Sequence, residues 1–151
     1  MAYTIVVGYD GSEPAKKALA EAIELAKITP DAEIVAVCGQ DRRPGYFYYD
    51  DKPLWMEAIK LDEMWEHMEA KIEEDLQQAV KVAQDAGIKA TAACGRGRPS
   101  TIVLNVARDT GARLIVVGTH GSGKDEETTV MGSTTTELLH QTHVPVLVVP
   151  Q

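Results

Sequence analysis

Short, unbroken apolar runs alternate along this chain with stretches of helical periodicity, and three of the runs end in glycine. Thr4-Ile5-Val6-Val7 runs into Gly8, Glu33-Ile34-Val35-Ala36-Val37-Cys38 into Gly39, and Leu114-Ile115-Val116-Val117 into Gly118. Strands of this kind have no polar face, so they must be covered on both sides. Between the first two runs, Ser12 offers an N-cap and Pro14 a first-turn proline. Ala15, Ala18, Leu19, Ala22, Ile23 and Ala26 then mark one helical face, which ends at Thr29-Pro30-Asp31. A long helix over roughly 56–86 carries Trp65, Met68, Ile72, Leu76, Ala79 and Ala83 on its buried stripe and stops at Ala86-Gly87. A weaker strand over 88–94 follows, weak because Ala90, Ala92 and Ala93 are poor strand formers. After a loop over 95–100, Ile102, Val103, Val106 and Ala107 predict a short helix stopped at Gly111. A helix from Ser133 and a strand over 145–149 close the pattern.

The resulting order, β-α-β-α-β-α-β-α-β, predicts an α/β domain over residues 1–151: one doubly wound, Rossmann-like, five-stranded parallel sheet with helices on both faces. Ligands of such sheets sit past the carboxyl ends of the strands, where strand order reverses. Residues 40–54 stand apart from the pattern. Prolines at both ends and a glycine inside predict no regular structure, and Tyr46, Phe47, Tyr48 and Tyr49 form an aromatic cluster.

The net charge of −8 argues against nucleic acid and anionic membrane surfaces as partners. No run of 18 apolar residues exists to span a bilayer. The N-terminal residues enter a strand pattern at once, so no signal peptide is expected and a reducing cytoplasm is the expected location. Two cysteines, Cys38 and Cys94, are too few for a disulfide framework. Both end adjacent predicted strands and read as small buried hydrophobes rather than a redox pair.

The chemistry is concentrated near the C-terminal end. Gly118-Thr119-His120-Gly121 follows a buried strand, and Gly132-Ser133-Thr134 opens a helix. Backbone N–H groups of a glycine turn and of a helix N-terminus can converge on one anion. In an acidic molecule that positive potential must be local. Thr134 and Glu137 also have the spacing of a capping box. Gly118 to Asp125 is one residue from a P-loop motif, with Gly118, Gly123 and Lys124 present but Asp125 in place of the magnesium-binding Ser/Thr. It does not open a helix directly, and little chain follows it. Arg96 and Arg98 lie on the same sheet edge, available to offset phosphate charge or simply solvated.

These residues resemble the universal stress protein family over essentially the whole chain. Val7-Gly8-Tyr9-Asp10-Gly11-Ser12 looks like the family's first strand and aspartate loop, and Gly97-Arg98-Pro99 like its Gly-x-Pro turn. Gly118, Gly121, Gly132 and Ser133 resemble its nucleotide motif, and residues 144–149 its closing strand. The resemblance implies an adenine nucleotide, usually ATP. It places the phosphates on the backbones of Gly118, Thr119, His120 and Gly121 and of Gly132, Ser133 and Thr134. Asp10 would lie beside the adenosine, and the backbone near Gly39 along the adenine edge. It also implies a homodimer through the last strand.

One departure concerns the segment between Gly121 and Gly132, which is ten residues rather than nine and carries Asp125, Glu126 and Glu127. One like-charge pair 6 Å apart costs about 3 kcal/mol at an effective dielectric near 20. A divalent ion bridging phosphate and carboxylate reverses that sign, so Mg2+ is an expected cofactor and nucleotide affinity is expected to depend on it. Three readings follow. The first is a regulatory ATP-binding protein acting through a protein partner. The second is a nucleotide-free dimeric interaction or chaperone-like module. The third is a weak Mg-dependent ATPase using His120 or the carboxylates. Hydrolysis is expected to be slow or absent, since no arginine finger and no oriented base are evident.

Overall fold

A computed structural model of the chain describes residues 2–40, 48–49, 52–53, 58–119 and 131–150. The elements in chain order are β1 (Tyr3–Gly8), α1 (Glu13–Lys27), β2 (Ala32–Gln40), β3 (Tyr48–Tyr49), β4 (Lys52–Pro53), α2 (Ala58–Asp85), β5 (Lys89–Arg96), α3 (Pro99–Thr110), β6 (Leu114–Gly118), α4 (Ser133–Gln141) and β7 (Val146–Val149). The main sheet is parallel throughout, in the order β5-β2-β1-β6-β7. Strand order therefore runs outward in one direction from β1 through β2 to β5, and in the other through β6 to β7. The reversal falls between β1 and β6.

The apolar runs alternate sides, and each side has its own core. Ile5, Val7, Ile34, Ala36 and Val116 pack with the buried stripes of α1 and α2. Val6, Val35, Val37, Ile115 and Val117 pack with Val103, Leu104 and Ala107 of α3 and with Leu138 of α4. On α2 the expected stripe is fully buried only in its second half, at Leu76, Ala79 and Ala83. Trp65, Met68 and Ile72 are half-buried.

Helix ends follow their residues. Ser12 caps α1, its hydroxyl accepting from the Ala15 N–H at 3.3 Å. Gly87 and Gly111, at φ 84° and 65°, close α2 and α3 in the same way. Behind each, the next N–H reaches back: Ile88 donates to the Ala83 carbonyl at 3.0 Å and Ala112 to the Ala107 carbonyl at 2.8 Å. This is the Schellman arrangement, which needs a left-handed residue that glycine adopts without strain.

Three expectations need correction. Within residues 40–54, Gln40 still belongs to β2, and Tyr48 and Tyr49 pair antiparallel with Pro53 and Lys52. A ladder this short has an edge position that tolerates proline. Second, β5 extends to Arg96 instead of stopping at Cys94, because Gly39 and Gln40 of β2 continue to offer ladder partners to Gly95 and Arg96. Third, α4 begins at Ser133 with Gly132 as its N-cap and no side-chain capping bond. Thr134 therefore sits inside the first turn and forms no capping box with Glu137.

Candidate functional site

The crevice at the reversal is built from the ends of β1 and β6. On the β1 side, Asp10 accepts from the Ser12 N–H at 3.0 Å and from the Ser12 hydroxyl. This is an Asx turn that shapes the loop into α1, and it leaves Asp10 exposed at the rim. On the β6 side, the Gly118 carbonyl accepts from the buried Thr135 hydroxyl at 2.8 Å. The Thr119 carbonyl accepts from the Gly132 N–H at 2.7 Å. These two bonds clamp the start of α4 onto the end of β6. The two glycine segments predicted to converge, one at Gly118-Thr119 and one at Gly132-Ser133-Thr134, are therefore adjacent. The remaining predicted residues of the cradle, His120 and Gly121, lie outside the described residues, as do Lys124 and the carboxylates at 125–127.

The clamp changes which atoms are available to an anion. The Gly132 N–H is already used by Thr119. The first-turn N–H groups of α4 have no intrahelical acceptor, and Gly132 brings no side chain to cap them. Ser133 is exposed and Thr134 half-buried at that end. Thr135, which holds the clamp, was not singled out in the sequence. Its partner is 17 positions away, and one threonine in a run of three carries no mark of its role.

Close approach gives the crevice glycines a second reason to be glycine. A Cβ on Gly118 would stand 2.9 Å from the Pro14 Cβ and 3.0 Å from the Pro14 carbonyl oxygen. On Gly39 it would stand 2.7 Å from the Pro99 Cα. Gly118 thus lets α1 seat against β6, and Gly39 lets α3 seat against β2. Gly39 continues the ladder beside Gly95, with its neighbour Gln40 buried.

Arg96 and Arg98, considered as phosphate partners, meet protein carboxylates. Arg96 pairs with Glu69 at 3.0 Å and Arg98 with Glu137 at 3.6 Å. Glu137 also accepts from the buried Ser100 hydroxyl at 2.6 Å. The residue expected to cap α4 instead ties α4 to the first turn of α3.

A second concavity, about 530 Å³, lies under α2 against β2 and β5. Cys38, Ile72, Leu76, Ala92 and Cys94 form its apolar part, and Glu69, Glu73, Gln77 and Arg96 its polar margin. Cys38 and Cys94 are register partners, but neither ends its strand, because Gly39 with Gly95 and Gln40 with Arg96 continue the ladder. Cys38 is half-buried, but Cys94 is exposed rather than buried. Burial, helped by Asp10, Cys94 and Asp75, pushes the Cys38 thiol from 9.0 up to about 12. Among the described residues no group of three or more His, Cys, Asp or Glu is placed to hold a metal ion. Nor is any described helix long and apolar enough to cross a membrane.

Residues 1–150 match the family model described as the universal stress protein family. The chain belongs to that family. Among its relatives, a universal stress protein of Methanocaldococcus jannaschii, MJ0531, is 30% identical over 149 residues, covering 96% of this chain and 80% of that protein. The universal stress protein UspA of Lactobacillus plantarum superposes with a TM-score of 0.76 at 21% identity, over 97% of both chains. Two further universal stress protein structures share the fold and were solved with nucleotides. One is in complex with cAMP (TM-score 0.67, 23% identity, 97% of this chain and 96% of that one). The other, from Arabidopsis thaliana, has AMP bound (TM-score 0.63, 16% identity, 99% and 92%).

Proposed function

We propose that this universal stress protein binds an adenine nucleotide at the β1/β6 crevice and acts as a nucleotide-responsive regulatory protein. One observation carries the reading. At the reversal of strand order, α4 opens without a side-chain cap and is clamped directly beside the end of β6. A helix N-terminus with open N–H groups favours a phosphate through both hydrogen bonds and its dipole. In this reading the donors are the first-turn N–H groups at Ser133 and Thr134, with their hydroxyls. Asp10 lies at the adenosine end and the backbone near Gly39 at the adenine edge. The cAMP-bound and AMP-bound relatives support the ligand class.

ATP is the specific ligand proposed, at micromolar affinity, about −8 kcal/mol. Among the described residues no group of three or more His, Cys, Asp or Glu is placed to hold the metal by itself. In this reading Mg2+ would arrive on the phosphates, and the sequence offers Asp125, Glu126 and Glu127 as carboxylates to add oxygen ligands. Turnover is expected to be slow or absent, and a phosphate-release assay with Mg2+ checks it.

The deciding experiment is release and mass identification of small molecules from the purified protein. It is followed by calorimetry with ATP, AMP and cyclic AMP, with magnesium and in EDTA. No heat and no thermal shift at millimolar nucleotide refutes the reading.

The dimer is a separate proposal. β7 is an edge strand bonded to β6, and an unpaired apolar edge invites a second copy. Val149 belongs to the core, whereas Leu147 is only half-buried. Leu147→Lys is therefore the better probe. It should lower the mass seen in light scattering to that of a monomer, and a wild-type monomer overturns the interface.

A further inference from the structure

Cys38 and Cys94 face the same cavity from neighbouring strands. As register partners in a parallel ladder they leave the sheet on the same side, the one covered by α2. Adjacent strands lie about 4.8 Å apart, and a disulfide joins Cα atoms about 4.4–6.8 Å apart. The pair therefore falls inside the bridging range. Its Cβ atoms must approach by up to ~1 Å to reach the usual disulfide spacing. The strand that has to give is β5, which lies at the sheet edge and pairs only with β2 among the described residues.

The two thiols are unequal in a useful way. Cys94 is exposed, and Cys38 is half-buried beside it. A reagent arriving from solvent meets Cys94 first, and Cys38 is the neighbour in position to finish the reaction. The cavity is within the range of about 300–1,000 Å³ that holds small molecules. Its margin of Glu69, Glu73, Gln77 and Arg96 suits a polar guest of peptide-like chemistry.

We propose that Cys38 and Cys94 form a dithiol site that exchanges with low-molecular-weight thiol disulfides. In the first step the Cys94 thiolate attacks one sulfur of the small disulfide. The protein–small-molecule S–S bond forms as the original S–S bond breaks. The departing thiolate takes up the proton that Cys94 gave to water. In the second step Cys38 loses its proton to solvent base and attacks the Cys94 sulfur, expelling the second small thiol. The protein dithiol is oxidised by two electrons and the small disulfide is reduced to two thiols. The second step is intramolecular, so the proximity of the thiols offsets the small thiolate fraction of Cys38.

The test uses the full-length protein and glutathione disulfide. After incubation the wild type should lose both titratable thiols and become lighter by two hydrogen atoms. A non-reducing digest should join the Cys38 and Cys94 peptides within one chain, and dithiothreitol should restore both thiols. Cys38→Ser should stop at a stable mixed disulfide on Cys94, and Cys94→Ser should stay unmodified. The wild-type digest stands even where a variant folds poorly. Free thiols at saturating probe, a persistent mixed disulfide in the wild type, a cross-link between two copies, or equal reaction of Cys94→Ser would each overturn the proposal.

Discussion

The two halves of the sheet's carboxyl edge solve different problems with similar residues. Between β1 and β6 the small residues are used up by packing, since Gly118 has the Pro14 backbone against it and Gly8 has Val117. Between β2 and β5, on the face covered by α2, the small residues Ala92 and Cys94 leave space, and a cavity of about 530 Å³ remains. A glycine or alanine at a strand end therefore does not by itself announce a ligand. At the crevice, the described residues present backbone groups and a helix whose N-cap, Gly132, brings no side chain. At the cavity they present side chains, including two thiols.

Adding atoms should separate the halves most sharply. Gly118→Val drives carbon into the Pro14 carbonyl and should cost about 3 kcal/mol by denaturant unfolding. Loss of nucleotide binding in that variant would therefore report unfolding as much as a missing cradle. Thr135→Val is the cleaner probe of the crevice. It keeps the shape and removes the hydroxyl on the Gly118 carbonyl, leaving a buried acceptor unpaired at about 2 kcal/mol. Its nucleotide affinity should fall several-fold while the far-ultraviolet dichroism stays native. Unchanged stability in Thr135→Val would show that the clamp is not what holds α4 to β6.

The cavity side is best read through pH. Burial pushes the Cys38 thiol up to about 12, above its ordinary 9.0. A thiol with a raised folded value contributes stability that is complete below pH 9 and is lost as pH climbs toward 12. Wild type should therefore lose more stability than Cys38→Ala between pH 9 and 12, and the two slopes should coincide below pH 9. Parallel curves throughout would mean that Cys38 is solvated. The smallest effect belongs to Ala92→Val, which adds methyl groups at an exposed position lining the cavity. It should change unfolding free energy by no more than about 0.5 kcal/mol. A change as large as that of Gly118→Val would erase the contrast between the two halves.

Much of the fold could be read from local signals that depend on few partners. The apolar runs could only be covered strands, and Gly87 and Gly111 ended their helices because the chain there turns left-handed. The misreadings came from partners distant in sequence. Thr134 and Glu137 have capping spacing, but Glu137 is taken by Ser100 and Arg98 from α3. Gly95 and Arg96 read as loop until β2 offers them a ladder. At the crevice, the convergence of Gly118 with Gly132 was legible because both flank recognisable elements. The Thr135 clamp and the Pro14 contact were not, since each depends on how two helices seat on β6.

The position of β1 at the centre of the sheet also gives its two ladders very different sequence separations. Its pairing with β2 joins Tyr3 to Ala32, a separation of roughly 30 residues, whereas its pairing with β6 joins Ile5 to Leu114, roughly 110 apart. Closing the longer loop costs about 1 kcal/mol more in chain entropy. Ladders of long sequence separation are also the slow ones to form. A refolding chain can therefore assemble β1, β2 and β5 around α1 and α2 while β6 is still unattached. In such a species the cavity with its two thiols would exist before the crevice, and a nucleotide at the proposed site would act only on the last docking step.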